Sequence, residues 1–265
     1  MRKYVIREGA MSLACRTEGS GPDMVLLHGF CGSSHYWDKV IPVLAGQYRL
    51  IVPDLRGHGE SDAPAGPYTM EMMAEDIRLL LDELGVDKTL MYGHSLGGYI
   101  TLAFAEAYPE RLNGWGLVHS TAYPDDKQAK ENRLKGMQAI RENGIQSYVD
   151  GLVPRLFAPA HLESMSGAVE EMKRIGHGTS PVGAIATLEA MRGRPDRRHV
   201  LRESRVPVAL IAGAEDQVVP VPKVHAAEGP HIAAYVVEDC GHMGMIEAPD
   251  RLCRCLLEHA GRCRE

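Results

Sequence analysis

Short apolar segments alternate with longer amphipathic segments along most of the chain. The apolar segments are DMVLLHG, YRLIVPD, KTLMYGH, GWGLVHS, VPVALIAG and IAAYVVED. Each ends in glycine, histidine, serine or an acidic residue, as buried parallel strands commonly do. Between two of them, TMEMMAEDIRLLLDELG places apolar residues on one helical face, with Thr69 as the N-cap and Gly85 at the end. The alternation predicts an α/β fold with a mostly parallel sheet and helices on both faces.

Two regions depart from this alternation. At the N-terminus, KYVIREG and MSLACRTEG have the pattern of an antiparallel hairpin at the sheet edge. Residues 127–198 contain helical segments rich in charge and methionine, and the strand pattern resumes at Val206. We therefore interpret this region as a helical insertion into one sheet domain. We assign residues 1–122 and 199–265 to the core domain and residues 123–198 to the insertion.

Composition and charge exclude several classes of protein. The chain has 265 residues, a length at which an α/β fold is commonly one domain with a sizeable core. Its formal net charge of -6 argues against a nucleic-acid partner held through phosphate neutralisation. The N-terminal MRKYVIREGA lacks the apolar stretch of a signal peptide, and no apolar run reaches the length of a membrane span. We expect a cytoplasmic protein with no membrane partner.

The six cysteines do not indicate a metal site or a disulfide framework. They are scattered without CxxC spacing, so without a secretion signal we expect reduced thiols. Cys253 and Cys255 form a CxC near the end, but this pair has no companion ligands. We interpret them as two thiols on different faces of a helix and expect no metal.

The segment MYGHSLGGYI carries the pattern G-x-S-x-G at a predicted strand-to-helix junction. A tight turn there holds the serine in a strained conformation, and Gly93 and Gly97 remove side chains that would clash around Ser95. The turn also directs the amide of Leu96 to where an anion would develop on a substrate. The alternative is that Ser95 is an ordinary helix N-cap, with glycines that ease packing against the sheet. The first interpretation predicts a nucleophile.

A serine nucleophile needs a histidine base and an acid that orients the histidine. Asp216 follows the strand VPVALIAG, and His242 follows IAAYVVED. Because parallel strands end at one edge of the sheet, residues after three strands can converge on one crevice. We therefore predict a triad of Ser95, Asp216 and His242. Taken singly, Asp216 could equally cap a turn, and His242 could be an ordinary loop histidine.

Other residues compete for the roles of acid and base. The competing acids are Glu215, Asp125 and Asp126, and the other histidines at strand ends are His28, His94 and His119. We prefer Asp216 because it lies beyond the next strand in line, where its loop faces the histidine. We interpret His28 as a brace for its own loop.

Together these motifs resemble the α/β-hydrolase superfamily, in its serine-nucleophile branch. The similar segments are LLHGFCGSSHYW, VPDLRGHGESDAP, GHSLGG, AGAEDQVVP and CGHMGMIEAP. The resemblance implies an eight-stranded, mostly parallel sheet with a helical cap, which the insertion at 123–198 would supply. It also implies that an oxyanion hole combines the backbone amides of Phe30 and Leu96.

The nucleophile limits the chemistry that the resemblance implies. Haloalkane dehalogenases and epoxide hydrolases of this architecture carry aspartate where this chain carries Ser95, so both are disfavoured. The overall pattern looks most like carboxylesterases and enol-lactonases. We expect an acyl-enzyme on Ser95 during hydrolysis of a small, largely apolar ester, lactone or thioester, without a cofactor.

Three alternatives stay open from the sequence. The same triad could hydrolyse carbon-carbon bonds or perform perhydrolysis, and the fold could serve as a non-catalytic ligand receptor. Apolar residues of the insertion fit a homodimer surface as well as a core, and the sequence does not distinguish the two.

Overall fold

The computed structural model describes residues 1–7 and 10–264, and its centre is one eight-stranded sheet. The strands are β1 (Arg2–Ile6), β2 (Met11–Glu18), β3 (Asp23–Leu27), β4 (Arg49–Pro53), β5 (Thr89–His94), β6 (Leu112–Val118), β7 (Val208–Gly213) and β8 (Ile232–Val237). Their order across the sheet is β1-β2-β4-β3-β5-β6-β7-β8. Strands β3 to β8 pair in parallel, whereas β1 and β2 form an antiparallel hairpin beside β4. The predicted mostly parallel sheet with an edge hairpin is confirmed.

Helices connect the parallel strands. In the described residues they are α1 (Ile41–Leu44), α2 (Met70–Glu83), α3 (Leu96–Ala107), α4 (Lys127–Leu152), α5 (His161–Ser164), α6 (Ser166–His177), α7 (Pro181–Gly193), α8 (Arg198–Glu203), α9 (Val221–Val224), α10 (Gly244–Glu247) and α11 (Pro249–Arg262). Helix α2 packs against α3, and α11 packs against β7 and β8. Every residue of β5 and β7 is buried, so the centre of the sheet is covered on both faces.

Helix α2 shows how the local sequence sets the bounds of an element. Thr69 Oγ1 accepts a hydrogen bond from the backbone amide of Met72 at 3.0 Å, so the predicted N-cap is present. The buried face includes Met73, Ile77, Leu80 and Leu81. Gly85 adopts φ +64°, a left-handed conformation that commonly ends a helix.

The fully described stretch between β6 and β7 contains helices and no strand. Its longest element, α4, is kinked at Gly144, which has φ 80° and ψ 168°. This glycine divides α4 into two helical parts, and α4 packs against both α6 and α7. The predicted insertion is therefore helical, while its limits at residues 123 and 198 stay a prediction.

The helical stretch between β6 and β7, the predicted insertion, is called the helical segment. A contact between two glycines joins the helical segment to the loop that follows β4. A Cβ atom at Gly183, in the first turn of α7, would lie 2.5 Å from the Cα of Gly57. A Cβ at Gly57 would likewise lie 2.7 Å from the Cα of Gly183. Because neither position has room for a side chain, α7 rests directly on the backbone of this loop.

Three expectations from composition can be compared with the structure. Within residues 1–7 and 10–264, no helix combines the length and the apolar character needed to cross a membrane. All six cysteines are free thiols, with Cys253 buried and Cys255 half-buried on α11. The same described residues contain no group of three or more His, Cys, Asp or Glu side chains placed to hold a metal ion.

Candidate active site

Ser95 occupies the turn between β5 and α3 in a strained conformation, with φ 50° and ψ -109°. A non-glycine residue at positive φ is uncommon and is maintained only where the surroundings fix it. Here the Ser95 amide donates to the carbonyl of Val118 at 3.0 Å, and its carbonyl accepts from Ser120 Oγ at 2.7 Å. The Ser95 side chain makes no capping hydrogen bond to α3. The structure therefore does not support the alternative in which Ser95 is an ordinary N-cap.

The glycines around Ser95 are required by close backbone contacts. A Cβ at Gly93 would lie 2.2 Å from the carbonyl carbon and oxygen of Gly97. A Cβ at Gly97 would lie 2.5 Å from the carbonyl oxygen of Leu27 on β3. No side chain fits at these distances, so the G-x-S-x-G pattern is what permits α3 to begin directly against the sheet.

We expect Gly93→Ala to destabilise the fold by about 3 kcal/mol, because the added methyl group would displace backbone atoms of the turn. Urea unfolding followed by circular dichroism measures this loss. Gly167→Ala is the matched control, since nothing lies within 4 Å of a Cβ at this exposed helical position. Its stability should change by less than about 1 kcal/mol. Equal losses in the two variants would contradict the steric argument.

Asp216 and His242 form a buried pair after β7 and β8, as the sequence predicts. His242 Nδ1 lies 2.8 Å from Asp216 Oδ2. Asp216 Oδ1 accepts hydrogen bonds from the backbone amides of Val218 at 2.8 Å and Val219 at 2.9 Å. Asp216 thus both caps a turn and holds the histidine, with a different oxygen for each. Because an ionised carboxylate only accepts, Nδ1 carries the proton and Nε2 has the lone pair of a base.

The charge of Asp216 is maintained by its neighbours. Burial alone would raise the pKa of this carboxyl, but attraction from His242 and the contact with His119 hold its pKa well below the usual range. Asp216 is therefore an anion at neutral pH. The stability that this contact contributes is present above the unfolded-state pKa of about 3.9 and is lost as the pH falls towards the lower folded-state value.

Two further histidines, His94 and His119, surround this pair. His94 Nε2 donates to the carbonyl of His242 at 2.8 Å, and the two ring centroids are 5.0 Å apart. Burial lowers the pKa of His94 well below its usual value, and the neighbouring His242 and His119 lower it further. His119 Nδ1 lies 3.7 Å from Asp216 Oδ2, beyond hydrogen-bond distance. Both competing histidines therefore pack beside the proposed base.

The described hydrogen bonds do not involve the side-chain atoms that the predicted nucleophile and base would use. His242 Nε2 has no protein partner among residues 1–7 and 10–264, and Ser95 is half-buried. Because His94 directly precedes Ser95 and contacts His242, the serine lies at the same end of the sheet as the imidazole. Ser95, Asp216 and His242 therefore follow strands that end at the same edge of the sheet, and their action as a triad stays a prediction. Catalytic hydrogen bonds often tighten only when a substrate binds.

The three competing acids are placed differently from Asp216. Glu215 is exposed to solvent. Asp125 accepts hydrogen bonds from Arg133 at 3.0 Å and Arg194 at 2.6 Å. Asp126 is the N-cap of α4. Of the four acids considered from the sequence, Asp216 is the one that hydrogen-bonds the predicted base.

The amides predicted to form an oxyanion hole are those of Phe30 and Leu96. Neither amide donates to an acceptor in the described part of the chain. A Cβ at Gly29 would lie 2.6 Å from His94 Nδ1 and 3.4 Å from the Cβ of Ser95. Glycine at this position therefore brings the loop after β3 against the nucleophile turn, which is the approach that an oxyanion hole requires.

His28 is held by its own loop and by the loop after β4. Its Nδ1 donates to the carbonyl of Gly29 at 2.8 Å, and its Nε2 accepts from the amide of Leu55 at 2.9 Å. Burial lowers its pKa, so the ring is neutral. With both nitrogens occupied, His28 joins two loops and has no free lone pair for a substrate proton.

The helical segment covers the loops that carry these residues. The backbone amide of His242 donates to the carbonyl of Leu156 at 2.8 Å. The rings of Phe30 and Tyr148 meet edge to face with centroids 6.1 Å apart. A Cβ at Gly176 would lie 3.1 Å from the carbonyl oxygen of Cys31. Elements of this segment thus contact both the histidine loop and the loop of Phe30.

Comparison with known proteins agrees with this architecture. The family model described as the alpha/beta hydrolase fold matches residues 22–249. The chain therefore belongs to the α/β-hydrolase fold family, the family that the motifs resemble. Its fold class and this resemblance are both confirmed.

Individual proteins are similar to most of this chain, but at low sequence identity. The chain is 27% identical to 3-oxoadipate enol-lactonase 2 of Acinetobacter baylyi, in an alignment that covers 91% of this chain and 89% of that protein. It is 30% identical to the dihydrolipoyllysine-residue acetyltransferase component of the acetoin cleaving system of Pseudomonas putida, where the alignment covers 89% of this chain but 62% of that protein. Among solved structures, a thermophilic esterase from Thermogutta terrifontis, bound to malate, superposes with a TM-score of 0.95 at 30% identity over 100% of both chains.

Proposed function

We propose that this chain is a serine hydrolase that cleaves a carboxylic ester, or a related lactone or thioester, through an acyl-enzyme on Ser95. The contact that carries the proposal is the 2.8 Å hydrogen bond between His242 Nδ1 and Asp216, which favours the neutral tautomer with its proton on Nδ1 and its lone pair on Nε2. The similarity to an esterase and an enol-lactonase supports the same reaction class. The proposed triad mechanism requires neither a metal nor an organic cofactor.

In the proposed mechanism, Ser95 Oγ attacks the substrate carbonyl while Nε2 of His242 takes the hydroxyl proton. Asp216 holds the imidazole in the required tautomer and stabilises the imidazolium that forms. The amides of Phe30 and Leu96 bind the oxyanion, each contributing about 3 kcal/mol to the transition state. His242 then protonates the leaving group. Water, deprotonated by the same histidine, then attacks the acyl-enzyme, and the imidazolium returns the proton to Ser95 Oγ as the acid is released.

We also propose that residues 123–198 form a cap over the substrate site. The contacts of this segment with the loops of Phe30 and His242 support that role. Enclosure by a cap excludes water from the reacting groups and suits a small, largely apolar substrate.

Covalent labelling and a substrate panel test this proposal. A fluorophosphonate probe should label wild-type protein on Ser95, located by peptide mass spectrometry, and should not label the His242→Ala variant. Hydrolysis of p-nitrophenyl acetate, butyrate and longer esters should exceed turnover of a dienoic diketone. A folded wild-type protein that stays unlabelled would favour the ligand receptor. Faster cleavage of the diketone would favour a carbon-carbon bond hydrolase.

A further inference from the structure

One buried carboxylate outside the proposed triad links the histidine loop to the helical segment. Glu247, the last residue of α10, has a side chain with no solvent exposure. Its Oε1 accepts hydrogen bonds from the backbone amides of Gly241 at 3.1 Å and Met243 at 3.0 Å. Its Oε2 accepts from the amide of Ala158 at 2.8 Å and lies 2.8 Å from His161 Nδ1.

The Oε1 side of Glu247 fixes the backbone on both sides of His242. Gly241 and Met243 are the residues directly before and after the proposed base, and both donate to the same oxygen. The carbonyl of His242 accepts from His94, which holds the loop from the nucleophile turn. Rotation of the loop would break charge-assisted hydrogen bonds inside the protein, where no water replaces them.

The Oε2 side of Glu247 fixes the helical segment at a single point. His161 is the first residue of α5, and Ala158 lies three positions before it, in the stretch that also supplies the Leu156 carbonyl to the histidine loop. A Cβ at Gly241 would lie 2.4 Å from the amide nitrogen of Ala158, so the two backbones are in direct contact. One carboxylate therefore sets the position of this segment relative to the proposed base.

We propose that Glu247 is a positioning residue with two separable roles: Oε1 orients His242 for proton transfer, and Oε2 fixes residues 156–161 of the helical segment over the substrate. The first role rests on the proposed function, because it acts through His242. The second concerns substrate binding. Loss of Oε1 contacts should therefore lower kcat, and loss of Oε2 contacts should raise KM.

The substitution Glu247→Gln separates the two roles. The glutamine amide has one accepting oxygen, which fits against the two amides at Gly241 and Met243. Its NH₂ group would then face the N–H of Ala158, where two donors meet and no hydrogen bond forms. His161→Ala removes one of the two Oε2 contacts and leaves Oε1 untouched. Glu247→Ala removes all four contacts.

Kinetics of these three variants test the proposal. In Glu247→Ala, we expect kcat and the rate constant of fluorophosphonate labelling to fall on the order of 10- to 100-fold. Glu247→Gln and His161→Ala should keep kcat within about threefold of wild type and raise KM more than kcat changes. Asp76→Asn is the control, because Asp76 is another buried carboxylate; it lies on α2 and accepts hydrogen bonds from Arg7 and Arg56. It should lower the melting temperature without lowering the labelling rate constant.

Hydrogen exchange of the folded proteins gives a readout that does not depend on activity. In Glu247→Ala, the amides of residues 241–243 and those of Ala158, Ala160 and His161 should exchange faster than in wild type, whereas in Glu247→Gln only the second group should. Wild-type kcat in Glu247→Ala, equal exchange in the two variants, or a labelling loss in Asp76→Asn as large as that in Glu247→Ala would overturn the proposal. A wild-type protein inert to probe and esters would instead refute the proposed function, and the exchange pattern would still decide whether Glu247 fixes the two backbone segments.

Discussion

Replacing Ser95 with alanine should reduce kcat for ester hydrolysis by roughly 10⁶-fold, the loss seen when a triad serine is removed from a serine protease. Alanine has no nucleophilic oxygen, and the remaining groups can only bind substrate and polarise its carbonyl. The fold should be retained, because the Ser95 side chain makes no capping hydrogen bond and alanine occupies the same strained φ. Initial rates with p-nitrophenyl butyrate and thermal melting by circular dichroism measure the two effects.

Ser20→Ala is the matched control for this experiment. Ser20 is exposed in the turn after β2, at the end of the sheet opposite the candidate site. Its removal should change neither kcat nor the melting temperature. An alanine variant at position 95 that retained wild-type kcat would show that hydrolysis uses another nucleophile and would end the proposed mechanism.

The chain order of the strands made the candidate site predictable from sequence. Ser95, Asp216 and His242 each follow an apolar run, and parallel pairing necessarily brings the ends of such runs to one edge. The two-residue spacing of the glycines around the serine predicts the turn, because steric exclusion there depends on adjacent residues alone. Local pattern and topology were sufficient for these positions.

The role of Glu247 could not be predicted in this way. It lies on a short helix after the histidine, and its partners Ala158 and His161 are 89 and 86 positions away in the chain. Nothing in the periodicity of either segment specifies that they meet. A signal was present in part, since a glutamate within CGHMGMIEAP is an acid in an otherwise apolar run, and such an acid requires partners when buried.

The contacts between the helical segment and the core could not be predicted from the sequence either. Gly57 and Gly183 each read as ordinary loop or helix-start glycines, and only the folded chain shows that they touch. The same holds for His119, whose position at a strand end resembles that of a catalytic residue. Its burial beside Asp216 depends on how α10 and β7 pack around it. Tertiary packing sets the contacts of these residues, and the pattern of a single sequence does not specify that packing.

Asp216→Asn should lower kcat by roughly 10⁴-fold, the effect of the same change in a serine protease triad. The structure gives a specific reason. The amides of Val218 and Val219 donate to Oδ1, so the asparagine oxygen must occupy that place to accept them. Its NH₂ group then faces His242 Nδ1 at the former Oδ2 position. Nδ1 must accept, the proton moves to Nε2, and the imidazole can no longer take a proton from the serine.

Steady-state kinetics at neutral pH, with Asp126→Asn as the matched control, check this prediction. Asp126 is exposed and caps α4, and asparagine caps a helix about as well as aspartate, so kcat should be unchanged. Fluorophosphonate labelling of Asp216→Asn should slow in parallel with kcat, because both reactions need the same proton transfer. A kcat within about tenfold of wild type would mean that Asp216 does not fix the tautomer, since tautomer loss alone accounts for a far larger effect.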